Sequence, residues 1–154
     1  MTGSDPTHED EESGRRAADR AVAVGWAWLA LCACGGLALE VALGLKLGWL
    51  LDDEGVRTMA RLAHAHGVGL ALVVLAFGAT AAPRLGARTA ATSMMLIAGA
   101  VLVPIGFALG AIGHGEVDPG PGVWLVPPGA LLVIGALVRT SIAAIGYARR
   151  NRNL

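Results

Sequence analysis

A run of 19 residues without a charged side chain, residues 21–39, most constrains what this chain can fold into. A helix needs about 20 apolar residues to cross a bilayer, so the run is long enough to span one. Three further apolar stretches follow it, and the four predicted spans cover residues 21–47, 59–82, 89–112 and 123–147. The sequence therefore predicts an all-α integral membrane protein that folds as a four-helix bundle.

The composition agrees with a large lipid-facing surface. Charged residues make up 16% of the chain of 154 residues, whereas about 25% is usual in soluble domains. The formal net charge is zero, so nothing indicates a nucleic-acid partner. Cys32 and Cys34, the only cysteines, are two residues apart and point to opposite sides of a helix. We therefore expect neither a disulfide nor a shared metal.

The two tails and the loops predict the orientation. Residues 1–20 are polar and rich in acidic side chains, so we expect a disordered tail, and residues 149–154 form a short basic one. The N-terminal tail, the second loop and the C-terminal tail carry eight Lys and Arg residues together, against three on the other side, at Lys46, Arg57 and Arg61. Because basic residues concentrate in cytoplasmic loops, both termini are predicted to be cytoplasmic, with the spans in a bacterial inner membrane.

Individual residues predict local features of the helices. Asp52 or Asp53 is expected to cap the second long helix at its start. Pro104 removes a backbone donor inside the third span and is expected to kink it. Arg139 lies near the far end of the fourth span, where its side chain can extend to the interface.

Residues 61–69, RLAHAHGVG, place two histidines inside an apolar segment. Histidine is costly in hydrocarbon and usually faces the protein interior or water there. With both termini in the cytoplasm, Glu40, His64, His66 and His114 all fall in the outer leaflet or at its surface. The sequence therefore predicts a polar cluster of these four residues, which is either structural or ligand-binding.

The two neighbouring histidines are expected to have different surroundings. His64 and His66 lie about 200° apart on a helix, so they cannot hold one metal from regular helical structure. His64 lies on the face with the smaller residues and is predicted to point into the bundle. Glu40 lies at a matching depth and is its predicted partner in a hydrogen bond or an ion pair.

Two stripes of small residues, spaced i, i+4, run along the first and third spans. Such faces are where membrane helices approach one another closely. The stripes also contain Glu40 and His114, which are therefore expected to point into the bundle rather than at lipid. The glycines predicted to pack the helices are Gly36, Gly44, Gly106 and Gly110.

The chain resembles small four-span bacterial membrane proteins of no assigned activity. The resemblance is carried by residues 46–53, KLGWLLDD, by residues 62–67, LAHAHG, and by Glu40 and residues 118–127. The resemblance covers most of the membrane region but not the N-terminal tail, and it implies no mechanism. Residues 64–66 are also similar to the His-x-His segments of haem-copper oxidase-like membrane proteins, in which a helix histidine ligates haem. This chain lacks the many further spans and histidines of that superfamily, so the similarity does not imply an oxidase.

Three functions are compatible with the sequence. The first is a non-enzymatic membrane protein in which a Glu40–His64 contact fixes helix register, with the lipid bilayer around it and a second copy or a membrane complex as partner. The second is a redox component that binds haem b or a metal ion through His64 or His66 with His114 or Glu40. The third is a small proton-coupled transporter or channel subunit. Because no serine, cysteine or paired-carboxylate constellation is present in the sequence, no catalytic residue is predicted, and the first function requires no cofactor or metal.

Overall fold

The computed structural model describes residues 6–82, 85, 88–113 and 118–152. All regular structure in these residues is helical, as the sequence predicts. The helices are α1 (Pro6–Gly44), α2 (Gly48–Leu51), α3 (Glu54–Ala76), α4 (Thr89–Gly110) and α5 (Val126–Asn151). A π-helical segment, Phe77–Ala81, extends α3, and a 3-10 segment, Pro121–Leu125, leads into α5.

Four helical segments in the described part of the chain are long and apolar enough to cross a membrane. They run over Glu11–Gly44, Glu54–Ala81, Thr89–Gly110 and Pro121–Arg150. Each contains most of one span predicted from the sequence. The prediction of four apolar spans is therefore confirmed, and the architecture is that of a multi-pass membrane protein.

Helix α4 is the central element of the bundle. It packs against α1, α3 and α5, and α1 also packs against α3. In its most apolar window 44% of the residues are buried, compared with 6% in the corresponding window of α1. The helix runs without interruption through Pro104. We refer below to the Thr89 end and the Gly110 end of the bundle, after the residues at which α4 begins and ends.

The buried core fills the bundle from its middle to the Thr89 end. Each of the four long helical segments contributes to it, and its small residues allow the backbones to approach. A Cβ atom added to Gly99 of α4 would lie 2.6 Å from the carbonyl oxygen of Gly129 of α5. The core residues are Ala18, Ala21, Val74, Phe77, Ala82, Leu85, Leu96, Ala100, Val133 and Ala136.

The N-terminal part of the chain differs from the expectation of disorder. Residues 6–20 are helical and continue into the first span as part of α1. Ala18 and Ala21 are buried in the core, and the π-helical segment comes so close that a Cβ on Gly78 would lie 3.0 Å from the carbonyl oxygen of Ala18. Burial of this alanine face offsets the cost of ordering a stretch that is otherwise polar. Residues 1–5 lie outside the described residues.

The connection between α1 and α3 has well-defined caps. Lys46 adopts a left-handed conformation with φ of 53°, and the N–H groups of Lys46 and Leu47 donate to the carbonyls of Leu43 and Ala42. This is a Schellman motif, and it ends α1 three residues before the predicted end of the span. Asp53 caps α3 as predicted, because its Oδ1 accepts the N–H of Val56 at 3.0 Å.

The Thr89 end of α4 contains a layer of buried hydroxyl groups. Thr89, Thr92 and Ser93 are 1%, 0% and 2% exposed. Thr92 Oγ1 donates to the carbonyl of Arg88 at 2.9 Å and accepts from Nε of Arg139 at 3.0 Å. The Arg139 side chain of α5 is therefore held by α4 as well as lying near the end of its span. Since buried polar groups are costly without partners, this layer requires its hydrogen bonds.

Candidate functional site

His64 of α3 faces α1, and its ring lies directly over Gly36. A Cβ atom added to Gly36 would lie 2.3 Å from Cε1 of the imidazole and 2.9 Å from both ring nitrogens. Contacts that short do not occur between real atoms, so the ring can occupy this position only because residue 36 has no side chain. The sequence placed Gly36 on a packing face, and in the structure its packing partner is the imidazole.

The same approach brings the imidazole to the backbone of α1. His64 Nδ1 lies 3.1 Å from the carbonyl oxygen of Cys32. A carbonyl oxygen can only accept, so Nδ1 carries the proton and donates it. In an α-helix the carbonyl of residue 32 already accepts the N–H of residue 36, and its second lone pair serves His64. In the neutral imidazole this leaves Nε2 unprotonated, with a lone pair.

The expected contact between Glu40 and His64 is not formed, although the structure describes both residues. Glu40 is exposed, and among the described residues His64 forms its hydrogen bond with the carbonyl of Cys32. Glu40 follows Gly36 by one helical turn, so its depth matches that of His64 as predicted. Because Gly36 has no side chain, the His64 ring packs against α1 at this residue, one turn before Glu40. There its Nδ1 reaches the carbonyl of Cys32.

His64 lines a cavity of about 500 Å³ between α1, α3 and α4. This volume is within the range of about 300–1,000 Å³ that is usual for small-molecule pockets. Apart from the imidazole, the Cys32 thiol and the Trp28 indole, the lining is made of aliphatic side chains and glycine. The lining residues are Trp28, Leu31, Cys32, Gly35, Ala38, Leu39, Ala42, Ala60, Ala63, His64, Pro104, Ile105 and Ala108. We call this space the His64 pocket.

The His64 pocket reaches the outer surface of the bundle between α1 and α4. Leu31 of α1 and Ile105 of α4 both line it, and they are 60% and 37% exposed. At its inner side the three helices meet at Gly67, where a Cβ would lie 2.6 Å from Sγ of Cys32 and 3.6 Å from Cβ of Pro104. A ligand would thus enter sideways through an apolar opening.

Trp28 forms part of the wall of the His64 pocket and has an unusual environment. Its indole Nε1 is buried and has no hydrogen-bond partner in the described part of the chain. Buried N–H groups without a partner are uncommon because their desolvation is not compensated. The signal that could have identified the pocket is the accumulation of Gly and Ala at residues 35, 38 and 42 of α1 and at residues 60 and 63 of α3.

His66 has a different environment from His64, as the 200° separation predicts. Its Nδ1 donates to the carbonyl of Leu62 in the preceding turn at 2.9 Å. Its ring centroid lies 4.8 Å from that of Phe107 of α4, with the ring planes tilted by 36°. The residue is exposed and does not line the His64 pocket.

The remaining predicted site residues have separate locations. His114 lies outside the described residues, so the structure does not bear on its part in the cluster. Gly106 packs against Val126 at the start of α5, whereas Gly44 has no atom within 4 Å of the position of a Cβ. Among the residues that the structure describes, no three His, Cys, Asp or Glu side chains come close enough to hold a metal ion.

Comparison of the chain with protein-family models, with curated proteins and with solved structures gives no significant match.

Proposed function

We propose that this is an integral protein of a bacterial inner membrane with both termini in the cytoplasm. The excess of Lys and Arg in the two tails and the second loop supports this orientation. Exposed aromatic residues support insertion in a membrane but not a particular orientation, since Trp26 and Tyr147 lie toward the Thr89 end and Trp124 lies at the Gly110 end. Aromatic side chains at both ends of a bundle are typical of the two membrane interfaces.

We infer that the protein binds a lipid-soluble ligand in the His64 pocket and that its role is binding rather than catalysis. The observation that carries this proposal is the pocket itself, an apolar space of about 500 Å³ with one imidazole in its wall. His64 and Cys32 are the only titratable side chains among the described lining residues. Such a lining suits recognition through one polar contact in an otherwise apolar site.

The orientation of the imidazole narrows the chemistry of the ligand. Because Nδ1–H donates to Cys32, Nε2 offers a lone pair and acts as an acceptor. In the neutral ring this lone pair suits a ligand with a hydrogen-bond donor, such as the hydroxyl group of a phenol or a sterol-like alcohol. The buried indole N–H of Trp28 is the donor that the same wall offers to a carbonyl group. The opening between Leu31 and Ile105 admits the ligand from the lipid side.

A second candidate, haem b ligated by His64, is favoured by one specific observation. Histidines that bind metals through one ring nitrogen commonly donate the other N–H to a carbonyl or a carboxylate, which fixes the ring. The bond from Nδ1 to the carbonyl of Cys32 is of this type. A haem iron would bind the lone pair of Nε2, which is the same lone pair that would accept a hydrogen bond from a hydroxyl ligand.

The test is to purify the full chain in mild detergent and to compare it with two variants, His64→Ala and His66→Ala. We expect an organic extract of the wild type and of His66→Ala to contain a stoichiometric apolar molecule that is lost from His64→Ala. The absorption spectrum of the same samples shows whether this molecule is haem, through a Soret band. A wild-type protein that yields no bound molecule, or equal retention by the two variants, would contradict the proposal. Melting temperatures of the variants establish that each is folded.

The orientation is tested separately with a reporter enzyme that is active only in the periplasm. Fused after residue 154, it is expected to be inactive, and fused at the loop that contains Asp118 it is expected to be active. The reverse pattern would overturn the proposed topology without affecting the pocket.

A further inference from the structure

A second cavity lies at the opposite end of the bundle, between the N-terminal part of α1 and the first turns of α4. Its volume is about 420 Å³. Unlike the His64 pocket, it is lined largely by polar and charged side chains. The lining residues are Glu12, Ser13, Arg16, Ala17, Arg20, Ala90, Ser93 and Met94. We call this space the Arg20 cleft.

The cations of the Arg20 cleft stand on one face of α1. Arg16 and Arg20 are four residues apart and therefore lie on the same side of the helix. Arg16 forms an ion pair with Glu12, whereas Arg20 has no hydrogen bond or ion pair within the described residues. Among the described residues, the lining of the cleft thus contains two guanidinium groups and one carboxylate.

Helix α4 contributes the hydroxyl group of Ser93 and its own N-terminal end to the cleft. Ser93 is 2% exposed, and its Oγ donates to the carbonyl of Ala17 at 3.4 Å, which ties the two walls together. Ala90 belongs to the first turn of α4, and Arg88 at the N-cap makes no side-chain capping bond. The N-terminal end of a helix carries a partial positive charge, so the start of α4 lies beside the two arginines of α1 and adds to the attraction for an anion.

We propose that the Arg20 cleft binds one phosphate group. Guanidinium groups bind phosphate oxygens through paired N–H donors. Arg20 provides the free donor set, and Arg16 exchanges its bond to Glu12 for one to the phosphate. The phosphate is that of an anionic lipid headgroup or a soluble phosphate, since both present the same oxygens. The lipid source depends on the proposed insertion in the membrane, because residue 20 immediately precedes the first uncharged run. Neither source depends on a ligand in the His64 pocket.

The test measures binding to the full chain in detergent by native mass spectrometry and by calorimetry. The probes are short-chain phosphatidylglycerol, short-chain phosphatidylcholine and inorganic phosphate. We expect one phosphatidylglycerol molecule to be retained in preference to phosphatidylcholine. Arg20→Gln should weaken its binding about tenfold, in keeping with the loss of a charge-assisted hydrogen bond. Glu12→Gln should strengthen it, because Arg16 is then released from its ion pair.

The matched control is Arg15→Gln, which removes an exposed cation from the same helix without touching the cleft. Binding of inorganic phosphate alone, with the same dependence on Arg20, would assign the site to soluble phosphate. Equal losses in Arg15→Gln and Arg20→Gln would show general attraction by a basic surface and overturn the proposal. Equal retention of the two lipids without binding of inorganic phosphate would also overturn the proposal. So would tighter binding of phosphatidylglycerol to the wild type than to Glu12→Gln.

Discussion

The two ends of the bundle are built from the same four helices, but they are packed in opposite ways. Toward the Thr89 end, buried alanines and larger aliphatic side chains fill the space between the helices, and buried hydroxyls are paired. Toward the Gly110 end, α1, α3 and α4 line the His64 pocket, which has a volume of about 500 Å³ and is open to the outer surface of the bundle. The space between the four helices is thus filled toward the Thr89 end, where the polar Arg20 cleft lies between α1 and α4, whereas an apolar pocket remains between three of the helices toward the Gly110 end.

Glycine illustrates this difference, because it has opposite uses at the two ends. Gly99 allows the backbones of α4 and α5 to touch, and this contact belongs to the core. Gly35 of α1 lines the His64 pocket, and no atom lies within 4 Å of the position of its Cβ. The same residue type therefore closes the bundle in one place and leaves it open in another. A membrane protein with little hydrophobic driving force between its helices depends on such close contacts for stability.

The largest effect is expected where two backbones touch. Gly99→Ala would place a methyl group 2.6 Å from the carbonyl oxygen of Gly129. Overpacking of this kind costs about 1–3 kcal/mol, and the upper part of that range applies because the clashing atom belongs to the backbone. The melting temperature in detergent should fall markedly. The control is Gly69→Ala, in the middle of α3, where no atom lies within 4 Å. It should be neutral or stabilising, and an equal loss in both variants would refute the contrast.

A smaller loss of stability is expected when the buried hydroxyl layer is changed. Thr92→Val keeps the shape of the side chain but removes the acceptor of the Arg139 Nε–H. Leaving a fully buried donor unpaired costs about 1–3 kcal/mol, and the lower part of that range applies because Arg139 is only partly buried. Thr140→Val is the matched control, since Thr140 Oγ1 donates only to the carbonyl of Ala136 in its own helix. In chemical denaturation in detergent, the free energy of unfolding should be markedly lower for Thr92→Val than for Thr140→Val. The opposite order would show that the position of the Arg139 side chain does not depend on Thr92.

The smallest effect on stability, and the largest on binding, is expected at the Gly110 end. Gly36→Ala puts a methyl group where the imidazole of His64 lies, so the ring must turn away and lose its bond to Cys32. The free energy of unfolding should fall by about 1 kcal/mol, the value of one hydrogen bond. Ligand retention should be lost as in His64→Ala. Gly44→Ala adds the same methyl group in open space and should retain the ligand. If Gly36→Ala retains it too, the orientation of His64 is not required for binding.

Much of the fold could be predicted because it follows from properties of single segments. Uncharged length predicts the four spans, and Asp53 before an apolar segment predicts the cap of α3. The helical N-terminal part of α1 was not predicted, because its polar composition suggested disorder. Its signal is the spacing of Ala17, Ala18 and Ala21, which places an alanine face on that stretch. This face is buried only because α3 and α4 offer a matching surface.

The candidate site could be predicted only in part. Periodicity places His64 on the face with small residues and separates it from His66, and the structure has both features. Matching depth suggested Glu40 as the partner, but depth does not show how closely two helices approach. At Gly36 the approach is close enough for the ring to reach the backbone of α1. A backbone acceptor such as the carbonyl of Cys32 carries no signal in the residue type, so it could not be read from the sequence.

The sequence alone determined the number of apolar spans, their approximate positions and the excess of basic residues in the tails and the second loop, because each depends on the residues of one segment. The tertiary structure decided where the helices touch, where they leave the His64 pocket between them, and which nitrogen of His64 remains available. These features depend on distances between helices, which are set by side chains from several segments at once. A glycine in one helix has its effect only through the residue that faces it in another, as Gly36 shows with His64.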